Sequence, residues 1–263
     1  MTSVKTLDAR RLVAIRRQRG LVAIFDLDGA LAPIAPTPES ARVSSTTRRA
    51  LRALARRADT TVGVVSGRPL RQVERLIGAG GLWIAGLHGY VRRAPAGRVE
   101  RLWSRPTEQR AIALAAVLRT AVRRIAGARV ERKGPVVALH VRAATPPGRR
   151  LGLRMAARIR PRSHALLQGR RVIEFRPARC PTKGDAVRWI ARQRPGAAVL
   201  YVGDDATDEE AFSALGAGDF GVLVDDGRAR RERSGRGRRT RARHRLTGPA
   251  AVARLIDRLA RAR

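Results

Sequence analysis

The sequence contains few of the residues that build disulfides, cysteine-based zinc sites or membrane spans. Cys180 is the single cysteine among 263 residues, which excludes an internal disulfide and any zinc site built on cysteines. No apolar run approaches the roughly 18 residues that a membrane-spanning helix needs. Residues 1–20 lack the apolar stretch and the small-residue cleavage site of a secretory signal. We therefore expect a soluble, cytoplasmic protein without a membrane partner.

Lysine and aromatic residues are also scarce, although the chain is strongly basic. Lys and Arg number 56 against 21 Asp and Glu, a formal net charge of +35, yet only Lys5, Lys133 and Lys183 are lysines. The arginines are spread along the chain, and aromatic residues make up only 3% of it. A nucleic-acid interface instead concentrates basic residues and interleaves them with aromatics. We therefore interpret the charge as a compositional bias, do not expect a nucleic-acid partner, and treat the rare lysines as informative.

Short apolar runs predict strands that are buried on both faces. Residues 21–25, 61–65 and 197–202 are continuous apolar segments of the kind found in parallel sheets covered by helices. Apolar residues at helical spacing recur in four segments: 46–58, 69–77, 184–191 and 249–262. This alternation predicts an α/β fold, a Rossmann-like parallel-sheet core with helices on both faces.

The middle of the chain has a different order of elements. A long helix is predicted from residue 107, with Thr107 as its N-cap, and it is followed by two hairpins that flank a second helix. The predicted segments are 107–126 and 149–160 for the helices, and 129–133 with 136–142 and 164–168 with 172–176 for the hairpins. We therefore predict an inserted α+β cap domain, residues 107–176, in a core formed by residues 1–106 and 177–263.

One low-complexity stretch, residues 227–245, is dominated by arginine and has almost no apolar residues. Such a run repels itself, so we interpret it as a mobile surface loop within the core. The alternative is that it binds RNA, polyphosphate or an acidic partner.

Four groups of polar residues lie at the ends of predicted core elements. Asp26-Leu27-Asp28-Gly29 follows the first strand, Ser66-Gly67-Arg68 follows the second, and Lys183-Gly184 begins a helix. Residues 204–210, after the third strand, contain five of the 21 acids. Ligands bind at the carboxyl edge of open α/β sheets, and crowded carboxylates favour a bound cation. Turns and a helix N-terminus explain single members of this set, the acids at 208–210 among them, but not the whole.

These groups, in this order, resemble the haloacid-dehalogenase-like phosphohydrolase superfamily, and within it the sequence is similar to the trehalose-6-phosphate phosphatase family. The similarity is carried by FDLDGALAPI (25–34), VVSGRPL (64–70), AGLHGY (85–90), VERKGPVVALHVR (130–142), VIEFRP (172–177), PTKGDAV (181–187) and YVGDDATDEEAF (201–212). One departure is Ala30, where the family usually has threonine. The resemblance implies Mg²⁺-dependent hydrolysis of trehalose 6-phosphate to trehalose and phosphate, and suggests pathway coupling to a trehalose-6-phosphate synthase.

The resemblance implies a role for each core residue. Asp26 would be the nucleophile that becomes an aspartyl phosphate, and Asp28 would protonate the leaving sugar oxygen and later deprotonate water. The expected Mg²⁺ ligands are the Asp26 carboxylate, the Asp28 backbone carbonyl and Asp204, with Asp205 orienting Lys183 or a metal-bound water. The residues expected to hold the phosphoryl group are Leu27, Ser66, Gly67, Arg68 and Lys183.

The predicted cap domain would supply specificity for the sugar. Glu131 and Lys133, at i and i+2, point to one face of a strand. The resemblance implies that they and Glu174 bind hydroxyls of the distal glucose, although a cross-strand salt bridge is the alternative. The other candidate substrate contacts are His88 and Arg142, whereas His140 and His164 are expected to pack or hydrogen-bond locally.

Two further functions stay open from the sequence. A phosphatase of the same superfamily can act on glucosylglycerate, mannosylglycerate or sucrose phosphates, and the face that carries Glu131, Lys133 and Glu174 would discriminate them. The Arg-rich stretch would alternatively make the chain a nucleic-acid or polyanion binder, with a steep salt dependence of affinity.

Overall fold

The computed structural model describes residues 5–78, 80–169, 172–225 and 240–262. The chain divides into a core unit, Met1–Arg101 with Pro181–Arg263, and an inserted unit, Leu102–Cys180. The sequence prediction placed the insert at 107–176, within the bounds of the inserted unit. The predicted Arg-rich loop, 227–245, lies outside the described residues from 227 to 239.

In the described part of the core unit, nine strands form one sheet in the order β1-β13-β12-β11-β2-β3-β4-β5-β6. The strands are β1 (Lys5–Thr6), β2 (Leu21–Asp26), β3 (Thr60–Val65), β4 (Trp83–Gly86), β5 (Val91–Arg93), β6 (Val99–Arg101), β11 (Ala198–Gly203), β12 (Phe220–Val224) and β13 (His244–Leu246). Neighbours pair in parallel from β1 to β4, whereas β5 and β6 add to one edge as antiparallel strands.

Helices pack on both faces of this sheet. Those of the core unit are α1 (Ala9–Arg19), α2 (Ser45–Ala55), α3 (Leu70–Ile77), α6 (Lys183–Ala191), α7 (Asp208–Phe212) and α8 (Gly248–Arg261). Because side chains alternate along a strand, Phe25 of β2 joins the cluster formed with α1, α2, α3 and α8, whereas Ile24 joins the one formed with α6 and α7. The predicted α/β fold is confirmed, and the antiparallel edge strands are an addition to it.

The inserted unit pairs one four-stranded antiparallel sheet with two helices. Its elements are α4 (Arg105–Val122), β7 (Arg129–Lys133), β8 (Val136–His140), α5 (Pro146–Ile159), β9 (His164–Gly169) and β10 (Val172–Pro177), and the strand order is β7-β8-β10-β9. Both predicted hairpins are confirmed. The predicted N-cap is wrong: Ser104 caps α4 by accepting the Thr107 N–H, and Pro106 occupies the first turn, where no N–H is needed.

The sheet of the inserted unit has one apolar and one polar face. Val137, Leu139, Ile173 and Phe175 are buried with residues of α4 and α5 in one cluster. Residues of opposite parity, such as Glu131 and Glu174, lie on the other face. Within the described ranges, no helix combines the length and apolarity that crossing a bilayer requires.

Candidate active site

Three adjacent strands of the core unit end at the same edge of the sheet. β2 pairs in parallel with β11 on one side and β3 on the other, with Asp26 opposite Val65 and Phe25 opposite Val202. The residues that follow these strands therefore meet beside Asp26. Because all six residues of β2 are buried, Asp26 is held with only 4% of its surface exposed.

Lys183 lies at the centre of this edge and neutralises part of its charge. Its Nζ donates hydrogen bonds to Asp26 Oδ1 at 2.9 Å and to Asp208 Oδ1 at 2.8 Å, and it lies 3.8 Å from Asp205 Oδ1. Burial alone would lower the pKa of the ammonium, but the charges of Asp208 and Asp26 outweigh it and raise that pKa well above its ordinary value. Lys183 is therefore a fixed positive charge beside the Asp26 carboxylate.

Asp208 organises the loop after β11. Its Oδ1 accepts hydrogen bonds from Lys183 and from the Tyr201 hydroxyl at 2.6 Å, and its Oδ2 accepts the backbone N–H groups of Asp204 and Asp205 at 2.8 Å each. Sequence reasoning assigned this acid to a helix N-terminus and missed its role in the site. The available signal was the rare lysine together with the acid-rich loop, because an ammonium has three N–H donors that need acceptors when it is buried.

Two acids at this edge, Asp26 and Asp204, have pKa values raised above their ordinary range. Burial raises the pKa of Asp26 well above its usual value, and Lys183 opposes that effect. Burial and the charges of Asp208 and Asp205 raise the pKa of Asp204 to about 8. A carboxylate cluster of this kind is stabilised by either a proton or a cation.

Oxygens of this cluster fit a divalent cation. One carboxylate oxygen each of Asp26, Asp204 and Asp208 lies within 4.8 Å of the other two. Octahedral Mg²⁺ with bonds of about 2.1 Å needs oxygens about 3 to 4.2 Å apart, and hard oxygens are its preferred ligands. Each Asp208 oxygen already accepts two hydrogen bonds, so Asp26 and Asp204 are the better ligands and Asp208 holds their surroundings. The predicted pair of Asp26 and Asp204 is thus brought together.

Gly29 permits the approach of the Asp204 carboxylate to the loop after β2. Its φ of +86° is a left-handed conformation, and a Cβ at this position would lie 2.1 Å from Asp204 Oδ2. The neighbouring Ala30, where a threonine is usual in the resembling family, is fully buried. The loop thus has a glycine where a carboxylate of another loop must pass.

Arg68 holds the Asp28 side chain. Its Nε and Nη2 donate to Asp28 Oδ2 and Oδ1 at 2.6 and 2.7 Å, and its Nη1 donates to the Pro38 carbonyl at 2.7 Å. Burial would lower the pKa of Arg68, but the hydrogen bonds and charge of Asp28 raise it. Arg68 was predicted as a substrate contact, and its guanidinium fork is engaged by the predicted acid–base residue. The Asp28 side chain is 38% exposed, so it faces solvent.

The predicted phosphate-binding segment, Ser66-Gly67, is closely packed. Ser66 is 1% exposed and its Oγ accepts the Arg68 N–H at 3.2 Å. The His88 N–H donates to the Ser66 carbonyl at 2.9 Å, and a Cβ on Gly67 would lie 2.7 Å from His88 Nε2, so the imidazole lies against Gly67. His88 follows Leu87, and both have positive φ, a strained conformation that is common at functional sites.

Two other predicted site residues, Leu27 and Asp205, make mainly local contacts. The Leu27 side chain is fully buried, and its carbonyl accepts the N–H groups of Leu31 and Ala32, so its backbone N–H is the candidate contact for a ligand. The Asp205 Oδ1 accepts the Thr207 N–H at 2.8 Å and the Thr207 hydroxyl at 2.6 Å. Asp205 therefore caps the turn that leads into α7, at 3.8 Å from Lys183 Nζ.

The predicted sugar-binding residues lie together on the polar face of the inserted unit. Glu131 and Glu174 are both opposite Ala138, so the three residues form a row across β7, β8 and β10. Lys133 Nζ lies 3.7 Å from Glu131 Oε2 and 3.7 Å from Glu174 Oε1. The predicted local hydrogen bond of His140 is confirmed, since its Nε2 lies 2.8 Å from Glu131 Oε2. Arg142, beyond the end of β8, is exposed.

Comparisons with known proteins place these sites in context. The family model described as trehalose-phosphatase matches residues 24–235. A trehalose-phosphate phosphatase of Mycobacterium tuberculosis is 36% identical over 98% of this chain and 69% of its own length. The solved structure of Aspergillus fumigatus trehalose-6-phosphate phosphatase has a TM-score of 0.68 and 26% identity, covering 98% of this chain and 99% of that one.

Two further similarities concern the fold alone and the length of the relatives. A haloacid dehalogenase-like hydrolase from Bacillus subtilis shares the fold, with a TM-score of 0.62, 17% identity, and coverage of 90% of this chain and 98% of that one. The chain spans only 19% of the length of two larger mycobacterial relatives, which are 36% identical to it over 95% of its own length.

Proposed function

Because the chain belongs to the trehalose-phosphatase family, we propose that it hydrolyses trehalose 6-phosphate to trehalose and phosphate. The observation that carries this proposal is the hydrogen bond of 2.9 Å between Lys183 Nζ and Asp26 Oδ1, at a sheet edge where Asp204 is also present. A carboxylate attacks a phosphate dianion only when positive charge offsets the repulsion. Lys183 supplies such a charge beside the attacking group.

The reaction proceeds in two balanced steps. An oxygen of Asp26 attacks phosphorus, the bond to the sugar oxygen breaks, and that oxygen takes a proton from Asp28. Water then attacks the aspartyl phosphate, gives its proton to Asp28, and releases phosphate and the Asp26 carboxylate. The Asp28 side chain is partly exposed, and Arg68 fixes its orientation through two hydrogen bonds. This ion pair favours the carboxylate that accepts the proton of water, and Arg68 must release one Asp28 oxygen while that oxygen carries the proton for the leaving group.

Mg²⁺ is the proposed cofactor, and Asp26 and Asp204 are the residues that would hold it, with the Asp28 backbone carbonyl as the predicted third ligand. When bound, it would supply a Lewis acid that neutralises charge on the phosphoryl oxygens. Asp208 orients both Lys183 and the backbone after Asp204 through its four hydrogen bonds. Asp205 stiffens the same turn.

The phosphoryl oxygens are proposed to lie against Lys183, the Ser66 hydroxyl and the backbone N–H groups of Leu27 and Gly67. Backbone N–H groups bind phosphate at no cost in side-chain ordering. His88, which packs against Gly67, is proposed to support this segment.

The polar face of the inserted unit is proposed to bind the sugar. Lys133 Nζ is 3.7 Å from both carboxylates, which is longer than a good hydrogen bond, so sugar hydroxyl groups can form shorter hydrogen bonds to this lysine. A sugar that lacked a matching hydroxyl would leave charge unpaired, and this is a strong source of discrimination. Arg142 is a further proposed contact. A trehalose-6-phosphate synthase in the same cytoplasm would supply the substrate.

The test is phosphate release from a panel of substrates by the purified chain with Mg²⁺. The panel contains trehalose 6-phosphate, sucrose 6-phosphate, the phosphates of glucosylglycerate and mannosylglycerate, and p-nitrophenyl phosphate. We expect the highest kcat/KM with trehalose 6-phosphate, and loss of activity with EDTA that Mg²⁺ restores. Faster turnover of another sugar phosphate would refute the substrate and leave the phosphatase chemistry in place.

A further inference from the structure

A histidine outside the predicted site residues contacts the proposed sugar-binding face. We propose that His140 is a positioning residue that fixes the Glu131 carboxylate in the orientation that receives a sugar hydroxyl. This inference rests on the proposed function, because it assigns a task within the recognition of that substrate. His140 lies on β8 and Glu131 on β7, so the contact joins two neighbouring strands.

The sheet register places both residues on the polar face. Glu131 is directly opposite Ala138, and His140 lies two residues further along the same strand, so its side chain points to the same side. Diagonal neighbours in an antiparallel pair are within reach of long side chains. The small Ala138 leaves room for the imidazole of His140 to reach Glu131 across the row.

The contact with His140 is the shortest of the polar contacts that the structure gives for Glu131. His140 Nε2 lies 2.8 Å from Glu131 Oε2, whereas Lys133 Nζ and a nitrogen of Arg129 lie 3.7 and 3.9 Å from the same oxygen. An ionised carboxylate has no proton to donate, so Nε2 carries the proton and donates it. All three cationic or donor groups approach Oε2. The other oxygen, Oε1, takes part in none of these contacts, and the proposal assigns it to the hydroxyl donor.

Partial burial strengthens the effect of the His140–Glu131 hydrogen bond on the Glu131 carboxylate. The side chains of His140 and Glu131 are 23% and 26% exposed, so the bond is shielded but open to a ligand. The hydrogen bond from His140 is the main cause of the lowered pKa of Glu131, which keeps that side chain an acceptor. A glutamate loses considerable rotamer freedom when it is immobilised, and a carboxylate fixed before binding does not lose that freedom at the moment of binding.

The experiment compares three variants of the full chain on a sugar phosphate and on p-nitrophenyl phosphate. His140→Ala removes the donor, and His140→Gln places an amide N–H near the former position of Nε2. Arg129→Ala is the matched control, because Arg129 approaches the same oxygen at 3.9 Å but its side chain is 63% exposed. We expect His140→Ala to raise KM for the sugar phosphate about tenfold with little change in kcat.

Specificity and rescue separate positioning from a merely structural role. The ratio of kcat/KM for the sugar phosphate to that for the aryl phosphate should fall about tenfold in His140→Ala, recover most of its value in His140→Gln, and change less than about twofold in Arg129→Ala. An unchanged ratio in His140→Ala, or an equal loss in the Ala and Gln variants, overturns the inference.

Failure of the proposed function gives a different pattern. If the wild type prefers another sugar phosphate, the same variants are measured with that substrate, and a tenfold loss rescued by glutamine supports the role of His140 while trehalose 6-phosphate is rejected. If the wild type hydrolyses only the aryl phosphate and no sugar phosphate, both the proposed substrate class and the inference are overturned.

Discussion

Two polar groups among the residues that the structure describes are built from carboxylates around a lysine, and they differ in spacing and burial. In the core unit, Lys183 is 2% exposed and donates to two carboxylates at 2.8 and 2.9 Å. In the inserted unit, the Lys133 side chain is 15% exposed and lies 3.7 Å from two carboxylates. The first arrangement suits the proposed chemistry on a phosphate, because its charges are fixed at short distances. The second suits the proposed recognition of a neutral ligand, because its charged groups are farther apart and partly exposed.

The two groups also differ in the balance of charge. Four carboxylates, those of Asp26, Asp204, Asp205 and Asp208, surround Lys183 in the described part of the core unit, so negative charge is in excess there. On the polar face of the inserted unit, Lys133 and the donor His140 accompany two carboxylates. Of these two groups, the one in the core unit has the excess of carboxylates that a cation would offset.

The largest expected effect comes from removal of the nucleophile. Asp26→Asn should lower kcat by about 10⁴-fold or more, because loss of a nucleophile in other covalent hydrolases has effects of that order. The measurement is phosphate release from both trehalose 6-phosphate and the aryl phosphate, together with mass spectrometry of the acid-quenched enzyme for a phosphorylated intermediate. Asp257→Asn, on an exposed ion pair of α8, is the matched control and should behave as wild type. Covalent catalysis by Asp26 is excluded if the asparagine variant stays active.

Replacement of the buried Lys183 tests whether the polar group of the core unit acts in the chemical step. Lys183→Met should lower kcat by about 10²- to 10³-fold on every substrate, the typical loss for one electrostatic element of an active site. It also leaves Asp26 and Asp208 without their shared cation. Initial rates at saturating substrate measure this effect. A change confined to KM would contradict the assignment of Lys183 to the transition state.

The same substitution at Lys133 tests whether the polar group of the inserted unit binds the sugar. Lys133→Met should raise KM for the sugar phosphate by about 10- to 100-fold, because two partly buried carboxylates lose their common partner. The kcat for the aryl phosphate should change far less than in Lys183→Met. If Lys133→Met lowers kcat/KM equally for the sugar phosphate and the aryl phosphate, the inserted unit does not act in sugar recognition alone.

A smaller effect is expected from the excess of carboxylates in the core unit. The pKa of Asp204, about 8, lies above the value near 4 of an unfolded chain, so the native state binds the proton more tightly between those pH values. The free energy of unfolding should therefore fall as pH rises through this window when no divalent cation is present. The window from pH 5.5 to the pKa spans about 2.5 pH units, which corresponds to about 3 kcal/mol. At roughly 2–4 °C per kcal/mol for a chain of this size, we expect a loss of roughly 6–12 °C in Tm between pH 5.5 and pH 8.5.

Thermal unfolding with and without Mg²⁺ measures this effect. Cation binding requires the ionised carboxylate, so added Mg²⁺ should restore Tm at pH 8.5 and have less effect at pH 5.5. Asp204→Asn should flatten the pH dependence and weaken the response to Mg²⁺. An asparagine variant that keeps the wild-type slope would disprove the role assigned to Asp204.

Much of the core site was accessible from the sequence because of its strands. Continuous apolar runs that stop abruptly at Asp26, at Ser66 and before Asp204 place these residues at one edge of a parallel sheet. The scarcity of lysine directed attention to Lys183 and Lys133, and both lie between carboxylates. Periodicity and composition were therefore sufficient where a site is formed at the ends of long buried elements.

Other features have no local signal. The fork between Arg68 and Asp28 joins residues 40 positions apart, and neither residue type specifies the other. Asp208 was explained by the helix dipole, so its contacts with Tyr201 and Lys183 had no reason to be expected. The edge strand β6 is exposed throughout and only three residues long, which is too short for an alternating pattern to be recognised.

The residue at position 29 affects two loops at once, the loop after β2 that contains it and the loop after β11 that contains Asp204. A Cβ at position 29 would lie 2.1 Å from Asp204 Oδ2, so any other residue there must displace that carboxylate. The positive φ of Gly29 adds backbone strain for every other residue. A library randomised at position 29 and selected for turnover should therefore return glycine alone, whereas selection for folding should also return asparagine, which adopts the left-handed region more readily than alanine.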